Sequence, residues 1–188
     1  MEMATPKAKG AAQWVDAAYG QFAAAGLSSV RVEALARQLC TTKGSFYWHF
    51  TDRAALIDAV MVRWEELETA QAIEIAEAAG SPEERLRSLF HAVAARSSMR
   101  QGEVTLYVDA DSEGVAAAVA RVSHRRVEYI TTILVDMGFD RAEAARRATI
   151  TLATVLGLLQ LRAATGDEFA VLDDTALMRT AFDMAITR

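Results

Sequence analysis

The sequence predicts an all-α fold, and three observations carry that expectation. Apolar residues recur at helical spacing along most of the 188 residues. Only Pro6 and Pro82 interrupt the chain, and long stretches rich in Ala, Leu, Arg and Glu favour helix. Strand signals are few. Val104, Leu106, Tyr107 and Val108, within 103–111, suit a short helix and a strand alike. The expected architecture is an N-terminal three-helix domain containing a helix-turn-helix, residues 1–51, joined by a long helix to a larger helical domain, residues 52–188.

Ala11, Val15, Ala18, Phe22 and Ala25 form the stripe of a first helix, which ends at Gly26 as its C′ residue. Gly20 weakens that helix with no evident compensation, and Lys7 and Lys9 precede it in what reads as a solvated tail. Ser28 or Ser29 is the expected cap of the second helix. There Val32, Leu35, Ala36 and Leu39 fall on one apolar face, with Arg31, Glu33, Arg37 and Gln38 on the wet side. Cys40-Thr41-Thr42 breaks the pattern, and Thr42 is placed to cap a short third helix from Lys43. Phe46 and Phe50, four apart, anchor that helix and leave Lys43, Ser45, Tyr47, Trp48 and His49 on the other faces of a rod narrow enough for the major groove. Gly44, unfavourable in a helix, allows close approach of backbone to phosphate. A capped break followed by these features reads as a helix-turn-helix.

A long helix is expected from Asp52 to Ala79, with Leu56, Val60, Trp64 and Leu67 inward. Gly80 ends it. Ser81-Pro82-Glu83-Glu84 combines an S-x-x-E capping box with Pro at N1, a firm helix start; the helix carries Leu86, Leu89, Phe90 and Val93 to about Met99. After Ser112-Glu113-Gly114 a helix should reach Met137. Asp140 and Glu143 form a D-x-x-E variant of the box for a helix to about Thr165, and Asp173 or Asp174 begins the last.

Residues 11–60 resemble the N-terminal domain of the tetracycline-repressor (TetR) family of transcriptional regulators. The likeness runs through Trp14-Val15-Asp16-Ala17-Ala18, Phe22, Gly26, Val30-Arg31-Val32, Leu35-Ala36, then most strongly Lys43-Gly44-Ser45-Phe46-Tyr47-Trp48-His49-Phe50, and Asp52-Arg53 with Leu56. The resemblance implies a dimeric helical repressor whose larger domain binds a small effector. It also places Thr42, Lys43, Ser45 and Trp48 near base edges or phosphates and Tyr47 and His49 on phosphate; Arg31 and Gly44 complete the expected DNA-contacting set. Three positions depart from the family pattern. Cys40 stands where Gly is usual in the tight turn, Thr41 where a small aliphatic residue is frequent, and Thr51 where a basic residue is frequent.

Net charge is −5, yet residues 1–50 carry five basic and three acidic side chains, and the remainder 15 basic and 22 acidic. A basic head on an acidic body suits local neutralisation of phosphate. One cysteine and three scattered histidines exclude a disulfide framework and supply no metal-ligand spacing. No nucleophile–base motif or phosphate loop points to catalysis, so neither an enzyme nor a cofactor is expected. No uncharged run exceeds 14 residues, the length of Ala148–Leu161, which is shorter than the roughly 20 needed to cross a bilayer; with no signal segment, a cytoplasmic protein without a membrane partner is expected.

Ala148–Leu161 is apolar nearly all round, and Leu177, Met178, Ala181, Phe182 and Ala185 give the final helix a broad apolar face. An intramolecular core and a four-helix dimer interface explain these residues equally well. The resemblance favours the dimer, because a two-fold protein reaches half-sites about 34 Å apart. Ala153, Leu156, Gly157, Gln160, Leu177, Ala181 and Phe182 are its expected interface. For an unknown small-molecule effector, Trp64, Phe90, His91, Met99, Tyr107 and Asp109 are the candidates. The expected partners are thus a pseudo-palindromic double-stranded DNA operator, the effector and a second copy of the chain. The alternative is a helical ligand-binding or adaptor protein without DNA function, which requires Lys43, Tyr47 and His49 to be inaccessible.

Overall fold

Helices form where the apolar spacing predicts them, and the computed structural model, which describes residues 10–95, 101–165 and 174–187, has no strand among those residues. The order is α1 (Ala11–Ala25), a 3-10 turn (Leu27–Ser29), α2 (Val32–Gln38), α3 (Lys43–Phe46), α4 (Arg53–Glu65), a π-helical turn (Glu66–Ala70), α5 (Gln71–Glu77), α6 (Pro82–Ala95), α7 (Gln101–Asp109), α8 (Ala116–Asp136), α9 (Arg141–Thr165) and α10 (Asp174–Ile186). Residues 103–111, open between helix and strand by sequence, thus fall largely within a helix. Two compact units divide the chain, Met1–Glu65 with Gln101–Ala116, and Glu66–Arg100 with Ala117–Arg188.

In the first unit α1 turns Trp14, Ala18 and Phe22 into the core, while Ala11 and Ala25 face solvent. The buried face is therefore rotated from the expected stripe, because the bulk of Trp14 outweighs that of the alanines. Gly26, at φ +80°, ends α1 as expected, in a conformation that side-chain-bearing residues rarely adopt. α7 joins this unit through another glycine: a Cβ at Gly102 would lie 1.7 Å from the Phe22 carbonyl oxygen, so only glycine permits this approach to the end of α1. Neither Ser28 nor Ser29 caps α2. Ser29 donates its hydroxyl to the carbonyls of Gly26 (2.7 Å) and Gln21 (3.0 Å), stabilising the 3-10 turn instead. Nothing in the structure explains Gly20.

α4, the π turn and α5 occupy the stretch expected as one long helix, and Asp52 caps its start by accepting from the Ala55 N–H at 2.8 Å. The core of the second unit gathers Leu86, Phe90, Ile130, Ile133, Leu134, Ala144, Ala148, Ala181 and Phe182. The Ser81 box closes in both directions: Ser81 N–H donates to Glu84 Oε2 (2.8 Å) and Glu84 N–H to Ser81 Oγ (3.2 Å). The Asp140 box closes in one direction only. Asp140 Oδ1 accepts from the N–H groups of Ala142 and Glu143, but the Glu143 carboxylate takes Arg146 and Arg147 rather than reaching back. α9 is long and apolar enough by composition to cross a membrane; here it packs Ala144, Ala148, Thr151 and Leu159 into the unit.

Glu84 and Glu143 give the fold an acid dependence. The Ser81 backbone N–H and hydroxyl hold the Glu84 carboxyl below its ordinary range, and hydrogen bonds from Arg146 and Arg147 do the same for Glu143. A carboxyl with a lowered folded-state pKa stabilises the fold above its ordinary value of 4.5, and that stability is lost as pH falls through the lower folded value. Thermal melting followed from pH 6 into the acid range should therefore show the melting temperature falling below about pH 4.5. Glu84→Gln combined with Glu143→Gln should flatten that fall.

Candidate nucleic-acid interface and ligand cavity

The short helix α3 is anchored by Phe46. Phe46 is completely buried, edge-on to Trp14 with ring centroids 5.3 Å apart and stacked on Phe50 at 5.4 Å. The sequence dictates this placement, since Val32, Leu35 and Ala36 of α2 are also buried and form the other side of the seat. Thr42 caps α3 as expected, its hydroxyl oxygen accepting from the Ser45 N–H at 3.3 Å.

With Phe46 inward, the expected DNA-contacting side chains point outward. Trp48 is 86% exposed and Tyr47 55% exposed; Arg31, Thr42, Lys43, Gly44 and His49 are exposed and Ser45 is half-buried. Lys43, Tyr47 and His49 are therefore accessible, contrary to what an adaptor without DNA function requires. A Cβ at Gly44 would meet only Thr42 Oγ1, at an ordinary 3.6 Å, so internal packing does not demand glycine there.

Two ionic features of this surface escaped the sequence reading. Lys43 Nζ lies 2.6 Å from Glu33 Oε1, a pair that raises the lysine pKa and lowers that of the glutamate. Any phosphate reaching Lys43 competes with a carboxylate already there. Arg53, at the start of α4, forks over the connection between α1 and α2: its Nε donates to the Val30 carbonyl (2.9 Å) and its Nη2 to the Leu27 carbonyl (2.6 Å) and to Glu113 Oε2 (3.0 Å). These bonds fix the approach to α2 and so the platform under α3.

Cys40 takes the tight-turn position at φ +52°. A left-handed backbone costs a non-glycine residue about 1–2 kcal/mol, and the extra freedom of unfolded glycine returns roughly 0.4–1 kcal/mol of that. Because the side chain is exposed, Cys40→Gly should raise stability by about 0.5–1 kcal/mol, read as a higher urea midpoint.

Within the second unit, a cavity of about 640 Å³, open mouth included, lies among Phe90, Leu89, Ile130, Leu152, Val155 and neighbouring side chains. Of the effector candidates Phe90 lines it, and His91 lines a second cavity that Phe90 also borders. Trp64 is instead buried in the first unit, where an indole of its size is spent on the core. Tyr107 and Asp109, on α7, also belong to the first unit and line neither cavity. Met99 lies outside the described residues.

The dimer candidates divide as well. Ala181 and Phe182 are buried in the core of the second unit, Phe182 edge-on to Phe90 at 5.7 Å and beneath the Arg87 guanidinium, and so are spent on packing within the chain. Ala153 and Gln160 are exposed and Gly157 and Leu177 half-buried, whereas Leu156 lines the cavity. Ile150, 60% exposed, and Leu161, 51% exposed, extend the open face of α9.

Residues 15–60 match the family model described as bacterial regulatory proteins, tetR family. The HTH-type transcriptional regulator SrpR of Pseudomonas putida is 27% identical over 124 residues, covering 64% of this chain and 57% of that protein. The chain thus aligns with little more than half the length of this relative. A transcriptional regulator from Rhodococcus sp. Rha1 superposes with a TM-score of 0.76 at 21% identity, covering 95% of this chain and 94% of the other. FadR from Bacillus subtilis, solved in complex with stearoyl-CoA, superposes with a TM-score of 0.67 at 14% identity, covering 94% and 97%.

Proposed function

By its N-terminal helix-turn-helix the chain is a TetR-family regulatory protein, and we propose that it represses transcription from a pseudo-palindromic operator and is released by a small-molecule effector. Residues 1–51 then supply DNA binding, and residues 52–188 supply effector binding and dimerisation. The observation that carries the reading is the exposure of Lys43, Tyr47, Trp48 and His49 around a helix locked on buried Phe46. Lys43, Tyr47 and His49 meet phosphate and Trp48 and Ser45 approach base edges, with Arg31, Thr42 and Gly44 at the margin. Two copies paired through the open face of α9, around Ala153, Gly157 and Gln160 with Leu177 beside it, present two such helices to successive half-sites. A protein that must reach the chromosome works in the cytoplasm.

The cavity of the second unit supports the effector half of the reading, as does the structural likeness to a regulator that takes stearoyl-CoA. Effector favours a dimer whose reading helices no longer match the groove spacing, and DNA affinity falls by its differential affinity for the two states.

DNA fragments selected by the protein from a random pool give the operator for the test. Lys43→Ala should weaken binding several-fold and shallow the slope of log affinity against log salt by about one, since one phosphate contact is lost. Tyr47→Ala should weaken binding at unchanged salt slope. Both side chains are exposed, so the melting temperature should hold within the change that about 0.5 kcal/mol produces. Unaltered DNA affinity in both variants would remove α3 as the reading element.

A further inference from the structure

Glu33 is the one acid of α2, and it stands among the expected DNA contacts: Arg31, Lys43 and Tyr47 border one open cleft together with it. Its carboxylate meets Lys43, ten positions on and from a different helix, with Oε1 2.6 Å from Nζ, although Arg37 sits one turn along α2 itself. Both members of the pair are more than half exposed. An ion pair so placed contributes little to stability, so the fold does not depend on it. Its consequence falls on the cation that it occupies.

A phosphate that reaches Lys43 Nζ must displace this carboxylate or share the ammonium with it, and sharing sets two anions close together. On an unrelated duplex the attraction is to phosphates alone, with no base contact to fix where the helix sits. Lys43 then has no single phosphate to prefer over Glu33, and a lysine that keeps its carboxylate releases no counterion from the DNA. On the operator, base-edge contacts hold α3 in register and set Lys43 against one phosphate, so the exchange is made. Resting on the reading of α3 as the DNA-reading helix, we propose that Glu33 is a specificity-determining residue, which withholds Lys43 from unrelated DNA and yields it on the operator. The carboxylate lowers affinity for both duplexes and lowers it more where register is absent.

Glu33→Gln, close in shape and uncharged, tests this in the full chain, with the selected operator fragment and an unrelated duplex of equal length each titrated over a salt series. The variant should steepen the slope of log affinity against log salt by about one on unrelated DNA and leave the operator slope where it was. The ratio of operator to unrelated affinity should fall by about threefold or more at low salt. Both side chains are exposed, so the melting temperature should match that of the parent. In a Lys43→Ala background the same substitution should leave the slope on unrelated DNA unaltered, because no lysine remains to be released. Equal gains on both duplexes, an unchanged slope on unrelated DNA, or steepening that persists without Lys43 would each overturn the inference; the last would make Glu33 a general repellent of phosphate. The reading of α3 fails separately, by operator affinity indifferent to Lys43→Ala and Tyr47→Ala.

Discussion

Phe46→Ala is expected to destabilise the first unit by about 3–5 kcal/mol, the range for deleting a fully buried aromatic ring. The ring is completely enclosed and meets three others, Trp14 and Tyr47 edge-on at 5.3 and 5.2 Å and Phe50 stacked at 5.4 Å. α3 is only four residues long and has little helical stability of its own. Removing the anchor therefore leaves both a void under α3 and no local reason for the helix to persist. Phe46→Leu keeps much of the volume and should cost far less, about 1–1.5 kcal/mol. Denaturation followed by circular dichroism gives both values, and DNA titration at low temperature should show the alanine variant losing operator affinity in proportion to the unfolded fraction. A cost below about 1 kcal/mol for Phe46→Ala would mean that the seat collapses around the gap, against the packing described.

What the sequence revealed depended on the range of the interaction. The Ser81 box and the Thr42 cap are built from residues three apart, so spacing alone predicts them, and the structure has both. Gly26 was legible because a helix end needs its conformation. The buried face of α1 was not, since an alanine-rich helix is apolar on several sides and periodicity picks out more than one stripe. The π turn has no residue-type signature. The Arg126–Thr69 and Arg53–Leu27 bonds join residues 57 and 26 positions apart, and the second goes to a backbone carbonyl that no side-chain pattern marks. Ala181 and Phe182 show the remaining gap: an amphipathic helix advertises that one face is covered, but the same residues serve an intramolecular core or a partner. Here the chain's own core takes them. Cys40 is the converse case, where the usual residue is absent but the backbone adopts the glycine-like φ of +52° because the helices on either side fix it.

Arg53→Met should carry the second large effect, a loss of about 2–3 kcal/mol together with weaker operator binding. The methionine keeps an apolar stem along the same path, so the loss isolates the guanidinium. Hydrogen bonds from a charged donor contribute about 1.5–3 kcal/mol each when buried; the Arg53 side chain is 40% exposed, which discounts the sum of three. The bond to Glu113 adds least, and Glu113→Gln should cost under about 1 kcal/mol. The two carbonyl bonds matter more, because Leu27 and Val30 border the 3-10 turn through which α1 passes into α2. The Leu27 carbonyl also accepts from the Val30 N–H at 3.0 Å and keeps that bond in the variant. The Val30 carbonyl loses its arginine, one residue before the extended N-cap Arg31 that starts α2. A shift there moves α2, and α3 rides on α2. Arg53→Lys retains the charge but cannot fork across two carbonyls, so it should recover less than half of the loss. Urea unfolding compared with operator affinity separates the two consequences: a variant as stable as the parent would show that the fork is dispensable, and a destabilised variant with undiminished DNA affinity in the folded state would show that α2 is positioned by its buried face alone.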